Sequence, residues 1–116
     1  MQRQPRIKDN RHLDFIRGLP CCICLNNTAT EAAHVRYADP RVGKRSTGMG
    51  EKAHDMFTVP LCGMHHRDQH LNSEREWWQT MQIDPVLLSL ALYVNSGDQD
   101  MGETIVSANS ARIGSE

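Results

Sequence analysis

Two pairs of residues in this chain have the spacing of metal ligands. Cys21-x-x-Cys24 follows Pro20, and Cys62-x-x-His65 follows a short apolar run. A two-residue spacer lets the chain curl so that both side chains converge on one ion. Zinc accepts thiolate and imidazole alike, and two such half-sites about forty residues apart complete a tetrahedron. Cys21, Cys24, Cys62 and His65 are therefore the expected ligands of a structural Zn2+. Cys22 is the spare thiol, packed or exposed, because Cys22 and Cys24 are poorly placed to share one ion. Reduced, unliganded cysteines are the plain alternative. A thioredoxin-like role for Cys21 and Cys24 lacks its βαβ setting.

Three further histidines have chemical possibilities. His66 and His70 are four residues apart, so on a helix they share one face about 6 Å apart, a spacing that suits one divalent ion. His65 points about 100° away around the same helix. It can serve zinc while His66 and His70 hold a second metal, Mg2+ or another divalent ion. His34 lies in Glu31-Ala32-Ala33-His34-Val35. An imidazole titrating near neutrality is a suitable general base for water. A packing histidine in a half-buried strand is the competing reading.

Taken together, residues 20–92 resemble the HNH branch of the ββα-metal (His-Me finger) nucleases. The likeness is to phage and prophage proteins similar to the recombination-enhancement type. It is carried by Leu19-Pro20-Cys21-Cys22-Ile23-Cys24, Ala33-His34-Val35, Gly48-Met49-Gly50-Glu51-Lys52 and Asp55 through His70. Glu76-Trp77-Trp78 and Ile83-Asp84-Pro85 extend it. The resemblance implies a metal-dependent endonuclease that hydrolyses DNA phosphodiester bonds and leaves 5′-phosphate and 3′-hydroxyl ends. It implies His34 as general base, and His66 and His70 at the catalytic metal. It also departs from the common pattern. Ala33 stands where a metal-binding residue often precedes the base, and Phe57 stands near the usual place of an Asn. Asp55 lies close by and could orient His34 or complete the metal shell.

The elements that must position these residues can be read coarsely. His12–Leu19 suggests a helical turn into the first Cys pair. Thr30–Arg36 reads as a first strand and Met56–Leu61 as a second, with Pro60 confining the latter to an edge or strand end. The span from Tyr37 to His54 has no periodicity, which in a compact domain marks function or disorder. Cys62–Leu71 reads as a helix. Ser73 with Glu76 forms a capping box, with Leu71 and Trp77 at staple positions. Asp84-Pro85 starts another helix through Val86–Val94, the most apolar stretch, ended by Gly97. The expected fold is α+β: a small zinc-stapled ββα-metal domain with additional helices over residues 12–96. A flexible basic arm (1–11) precedes it, and a disordered polar tail (97–116) follows.

A chain of 116 residues is one small domain, for which a metal staple is a common aid. The N-terminus carries basic residues without an apolar run behind them, and no segment is long enough to span a bilayer. The expectation is a cytoplasmic or phage-encoded protein with no membrane partner, no small-molecule cofactor and reduced thiols. Charge is uneven. Residues 1–52 hold ten Lys/Arg against five Asp/Glu, and residues 53–116 hold three against nine. The basic half is a candidate phosphate-facing surface, with Arg36, Arg41, Lys44 and Arg45 holding the nucleic-acid backbone. No base-reading cluster is evident, so low sequence specificity is expected. The rival is a non-catalytic zinc module that binds DNA or protein. A third reading takes the Trp77/Trp78 helix as a protein-interaction surface, although those tryptophans also suit a core.

Overall fold

The computed structural model describes residues 8–45 and 54–114. It is a mixed α+β fold. A two-stranded sheet and five helices run in the order α1 (Asn10–Arg17), β1 (Thr30–His34), β2 (Thr58–Cys62), α2 (Gly63–His70), α3 (Glu74–Met81), α4 (Pro85–Val94) and α5 (Gln99–Gly114). Residues 1–7 of the basic arm and the Gly48–Lys52 stretch lie outside the described residues.

Strands β1 and β2 pair antiparallel, with Thr30 opposite Cys62 and His34 opposite Thr58. Alternation puts Ala33 and Val35 of the first segment into the core, where they join Val59 and Leu61 of the second. Pro60 sits mid-strand, which a two-stranded sheet permits because both strands are edges. Its carbonyl accepts the Cys22 N–H at 2.9 Å, so the first Cys pair is laced directly onto β2.

Helix α1 starts where Asp9 accepts the His12 N–H at 3.0 Å. Its buried face (Leu13, Phe15, Ile16) packs beside the sheet. Helix α4 begins as expected: Asp84 accepts from the N–H groups of Val86 and Leu87, with Pro85 in the first turn. Trp77 and Trp78 are core residues, 5% and 2% exposed, meeting edge to face at 4.8 Å. They are not a docking surface.

Two local expectations need correction. Ser73 precedes α3, but its side chain makes no capping bond, and Leu71 is 84% exposed, so neither capping box nor staple forms. The turn is fixed otherwise. Glu74 accepts the Arg36 N–H at 3.2 and 3.3 Å, and Trp77 Nε1 donates to Asp68 at 2.7 Å. The larger correction is the tail: instead of disorder, residues 99–114 form α5. Asp98 caps it by accepting the Met101 N–H. Gln99 donates to the Gly18 carbonyl at 2.8 Å, Val106 is fully buried, and the Ser110 hydroxyl donates to the Cys22 carbonyl. A Cβ on Gly102 would lie 2.8 Å from both Leu19 and Phe15. The helix docks through small residues at i, i+4 and i+8, which carry almost no hydrophobic signal in sequence.

Candidate metal centre and histidine site

The Cys21–Cys24 turn is shaped by backbone bonds. Cys21 N–H donates to the Asn26 carbonyl, Leu25 N–H donates to the Cys21 carbonyl, and the Ile23 N–H points at Cys21 Sγ, 3.4 Å away. Leu25 closes the turn in the left-handed region at φ +62°. The second half-site lies at the junction of β2 and α2. Cys62 is the last strand residue, and His65 sits one turn into the helix.

The four side chains meet. Their ligand atoms all lie within 4.8 Å of one another. Cys62 Sγ is 3.2 Å from His65 Nδ1, Cys21 Sγ is 3.8 Å from it, and Cys24 Sγ is 3.9 Å from Cys62 Sγ. Zinc–sulfur bonds of about 2.3 Å and zinc–nitrogen bonds of about 2.05 Å at tetrahedral angles require edges of about 3.6–3.8 Å. The cluster has that size and can hold a metal such as zinc. Burial pushes the Cys21 thiol up to about 11, so a thiolate there needs a cation beside it. Cys22 is wholly buried and burial raises its thiol far above the usual range. It is a packing residue next to the cluster. Among the described residues this is the one group of three or more potential ligands that converges.

Three further histidines, His34, His66 and His70, take part in two side-chain pairs. His34, at the end of β1, has Nε2 2.9 Å from Asp55 Oδ1. Asp55 is 1% exposed and accepts the Asp9 N–H through Oδ2 at 2.7 Å. It thus joins the start of α1 to the His34 ring. Of the two roles open to Asp55, the geometry favours orienting His34. On α2, His66 and His70 have their Nε2 atoms 3.1 Å apart. His66 Nδ1 lies 2.7 Å from Glu31 Oε1 across on β1. His70 is shifted down, first by burial and then by the charges of His66 and Arg36. Sequence reading passed over Glu31. The only available signal was its place on the strand that carries His34.

The expected basic surface is partly dismantled. Lys44 is 7% exposed. Its ammonium donates to the Tyr37 carbonyl at 2.6 Å, lies over the Phe57 ring, and is shifted down chiefly by burial. Arg41 donates from Nε to Asp39 at 2.9 Å and from Nη2 to Asp84 at 2.8 Å, tying a 3-10 turn (Pro40–Val42) to the start of α4. Lys44 is thus committed within the fold, whereas the Arg41 guanidinium, though paired with Asp39 and Asp84, stays about half exposed. Arg36 and Arg45 are exposed. An open groove of about 500 Å³ between this turn and α3 is lined by Tyr37, Arg41, Arg75, Gln79 and Asp84, and includes none of the cysteines or histidines. No helix among the described residues is long and apolar enough to cross a membrane.

Comparison with known proteins adds a family. The model of the family described as a protein of unknown function, DUF968, matches residues 2–92, more than three quarters of the chain. The chain belongs to the DUF968 family. The matched region takes in both half-sites, His34, Asp55, His66 and His70, and stops within α4. The uncharacterized protein YdfU of Escherichia coli (strain K12) is 29% identical over 73 residues, 63% of this chain. That match spans 19% of the length of YdfU. No solved structure gives a significant match.

Proposed function

We propose that this DUF968 protein is a metal-dependent endonuclease of the HNH, ββα-metal type, acting on DNA with low sequence specificity. The observation that supports this best is a pair of side-chain couples along the β1–β2–α2 segment. His34 ends the first strand with Asp55 on its ring, and the helix that follows the second strand offers two imidazole Nε2 atoms 3.1 Å apart. The zinc cluster staples the junction from which that helix starts.

In this reading Asp55 holds His34 through Nε2–H. An imidazole donating from Nε2 carries its basic lone pair on Nδ1, which takes the proton from the attacking water. His66 and His70 would hold a divalent cation, which when bound supplies charge stabilisation at the scissile phosphate and the leaving 3′-oxygen. The exposed Arg36, Arg41 and Arg45 would contact the backbone, giving affinity without sequence choice.

One observation favours the non-catalytic zinc module instead. Among the described residues, no third carboxylate, cysteine or histidine converges with His66 and His70 as tightly as the four zinc-site ligands do. The two readings separate in a cleavage assay on plasmid and single-stranded DNA. The zinc-loaded protein is treated with a chelator too weak to strip the zinc, then given back Mg2+, Mn2+ or Ni2+. Nicking restored by the added ion supports the nuclease. Tight, salt-sensitive binding without nicking under every ion supports the module.

A further inference from the structure

Glu31 reaches from the outer edge of β1 to the helix that carries His66. Its Oε1 lies 2.7 Å from His66 Nδ1, and its Oε2 lies over the first turn of α2. A Cβ on Gly63 would sit 3.2 Å from that Oε2 and 3.2 Å from Arg67 Nη1. The missing side chain at Gly63 keeps room for the carboxylate and the guanidinium beside the His66 ring.

The consequence is a choice of tautomer. A carboxylate accepts only, so a neutral His66 facing it places its proton on Nδ1 and its lone pair on Nε2. That Nε2 faces His70 Nε2 at 3.1 Å. Two metal–nitrogen bonds of about 2.1 Å at a right angle end about 3.0 Å apart, the separation of neighbouring positions on an octahedral ion. The strand carboxylate, His66 and His70 therefore stand as a carboxylate–histidine–metal relay with a second imidazole beside it.

We infer that Glu31 is the positioning residue of the His66/His70 site: it fixes the His66 tautomer and ring so that both Nε2 atoms face one divalent cation. This rests on the reading of His66 and His70 as metal ligands. It adds a residue that acts through His66 without touching the ion. Losing such a partner typically weakens metal binding about 10–100-fold.

The test uses zinc-loaded protein and Ni2+ as the probe, with zinc content checked before and after. Calorimetry gives Ni2+ affinity, and nitrogen-15 spectra at pH 8 give the His66 tautomer without added Ni2+. Wild type is expected to bind one Ni2+ and to show the Nδ1–H form. Glu31→Ala is expected to lose that form and bind Ni2+ about 10–100-fold more weakly. Glu31→Gln, whose amide oxygen still accepts Nδ1–H, is expected to restore the tautomer and most of the affinity. His66→Ala is expected to abolish Ni2+ binding and keep zinc. If Glu31→Ala keeps both the tautomer and the affinity while His66→Ala abolishes binding, the role of Glu31 is overturned and the metal reading stands. If wild type binds no Ni2+ beside its zinc, the metal reading falls and this role falls with it.

Discussion

Asp55 Oδ1 lies 2.9 Å from Nε2 of His34, and the same carboxylate accepts the backbone N–H of Asp9. A buried acid thus ties the last residue of the first strand to the residue that caps the first helix. Removing it should act on chemistry and on folding by different amounts. Asp55→Asn keeps the shape and is expected to cost about 1–3 kcal/mol of stability. Because the His34 ring loses its orienting charge, cleavage should fall by more than the small unfolded fraction explains, up to about the 10²–10⁴-fold that a general base supplies. Melting temperature and plasmid nicking, measured on the same preparation, separate the two.

The Cys21/Cys24/Cys62/His65 cluster, read as a zinc site, makes a sharper forecast for its cysteines. Cys24→Ser and Cys62→Ser should lose the metal and the fold, since structural zinc contributes on the order of 10 kcal/mol. Cys22→Ser should keep stoichiometric zinc yet lose about 1–3 kcal/mol, because it puts a hydroxyl in a wholly buried place. Sequence alone leaves Cys22 either packed or exposed; its burial makes the replacement a stability variant. Zinc content together with urea unfolding reads out both, and zinc loss from Cys22→Ser would revise the ligand set.

Lys44 and Arg45 are neighbours with opposite assignments. Lys44→Ala should lower stability, through the lost bond to the Tyr37 carbonyl and the lost contact with Phe57, and leave the salt dependence of DNA binding unchanged. Arg45→Ala and Arg36→Ala should each flatten that dependence by roughly one unit of log–log slope. Binding measured from low to moderate salt distinguishes them.

His12 predicts acid sensitivity. It is fully buried, with Nδ1 2.8 Å from the Ser96 hydroxyl and Nε2 without a hydrogen-bond partner among the described residues. Burial shifts it down, against the opposing charges of Asp9 and Asp55. The unfolded chain therefore binds the proton more readily than the fold does. Its neutral form is accommodated above the ordinary value of about 6.5, and stability is lost as pH falls below that value toward the lowered one. His12→Gln should lower the melting temperature at pH 8 and shrink its drop between pH 7 and pH 5.5. An undiminished drop would remove His12 as the source of the acid sensitivity.

What was legible in the sequence follows from how each signal is written. The Cys/His cluster was legible because x-x spacing is local chemistry, and Asp84-Pro85 was legible because a cap and a first-turn proline act within three residues. His66 and His70 came from helical periodicity. The fate of Lys44 and Arg41 was not legible, since it depends on Tyr37, Phe57 and Asp84, which only the folded chain brings near. Helix α5 was hidden because its seam is Gly102, Val106 and Ser110, residues chosen for close approach to Leu19, Phe15 and the Cys22 carbonyl. Gly102→Ala should cost about 1–3 kcal/mol by overpacking that seam, and an unchanged melting temperature would detach α5 from the core.

The most direct measurement is the cleavage rate of zinc-loaded His34→Ala beside wild type, with added Mg2+ or Mn2+, together with melting temperature and DNA affinity for both. The expected result is a folded, zinc-containing, DNA-binding variant whose rate is about 10²–10⁴-fold below wild type. A His34→Ala protein that is folded, binds DNA and cuts at the wild-type rate would contradict the assignment of His34, and a wild-type protein that cuts under none of the ions would contradict the nuclease itself.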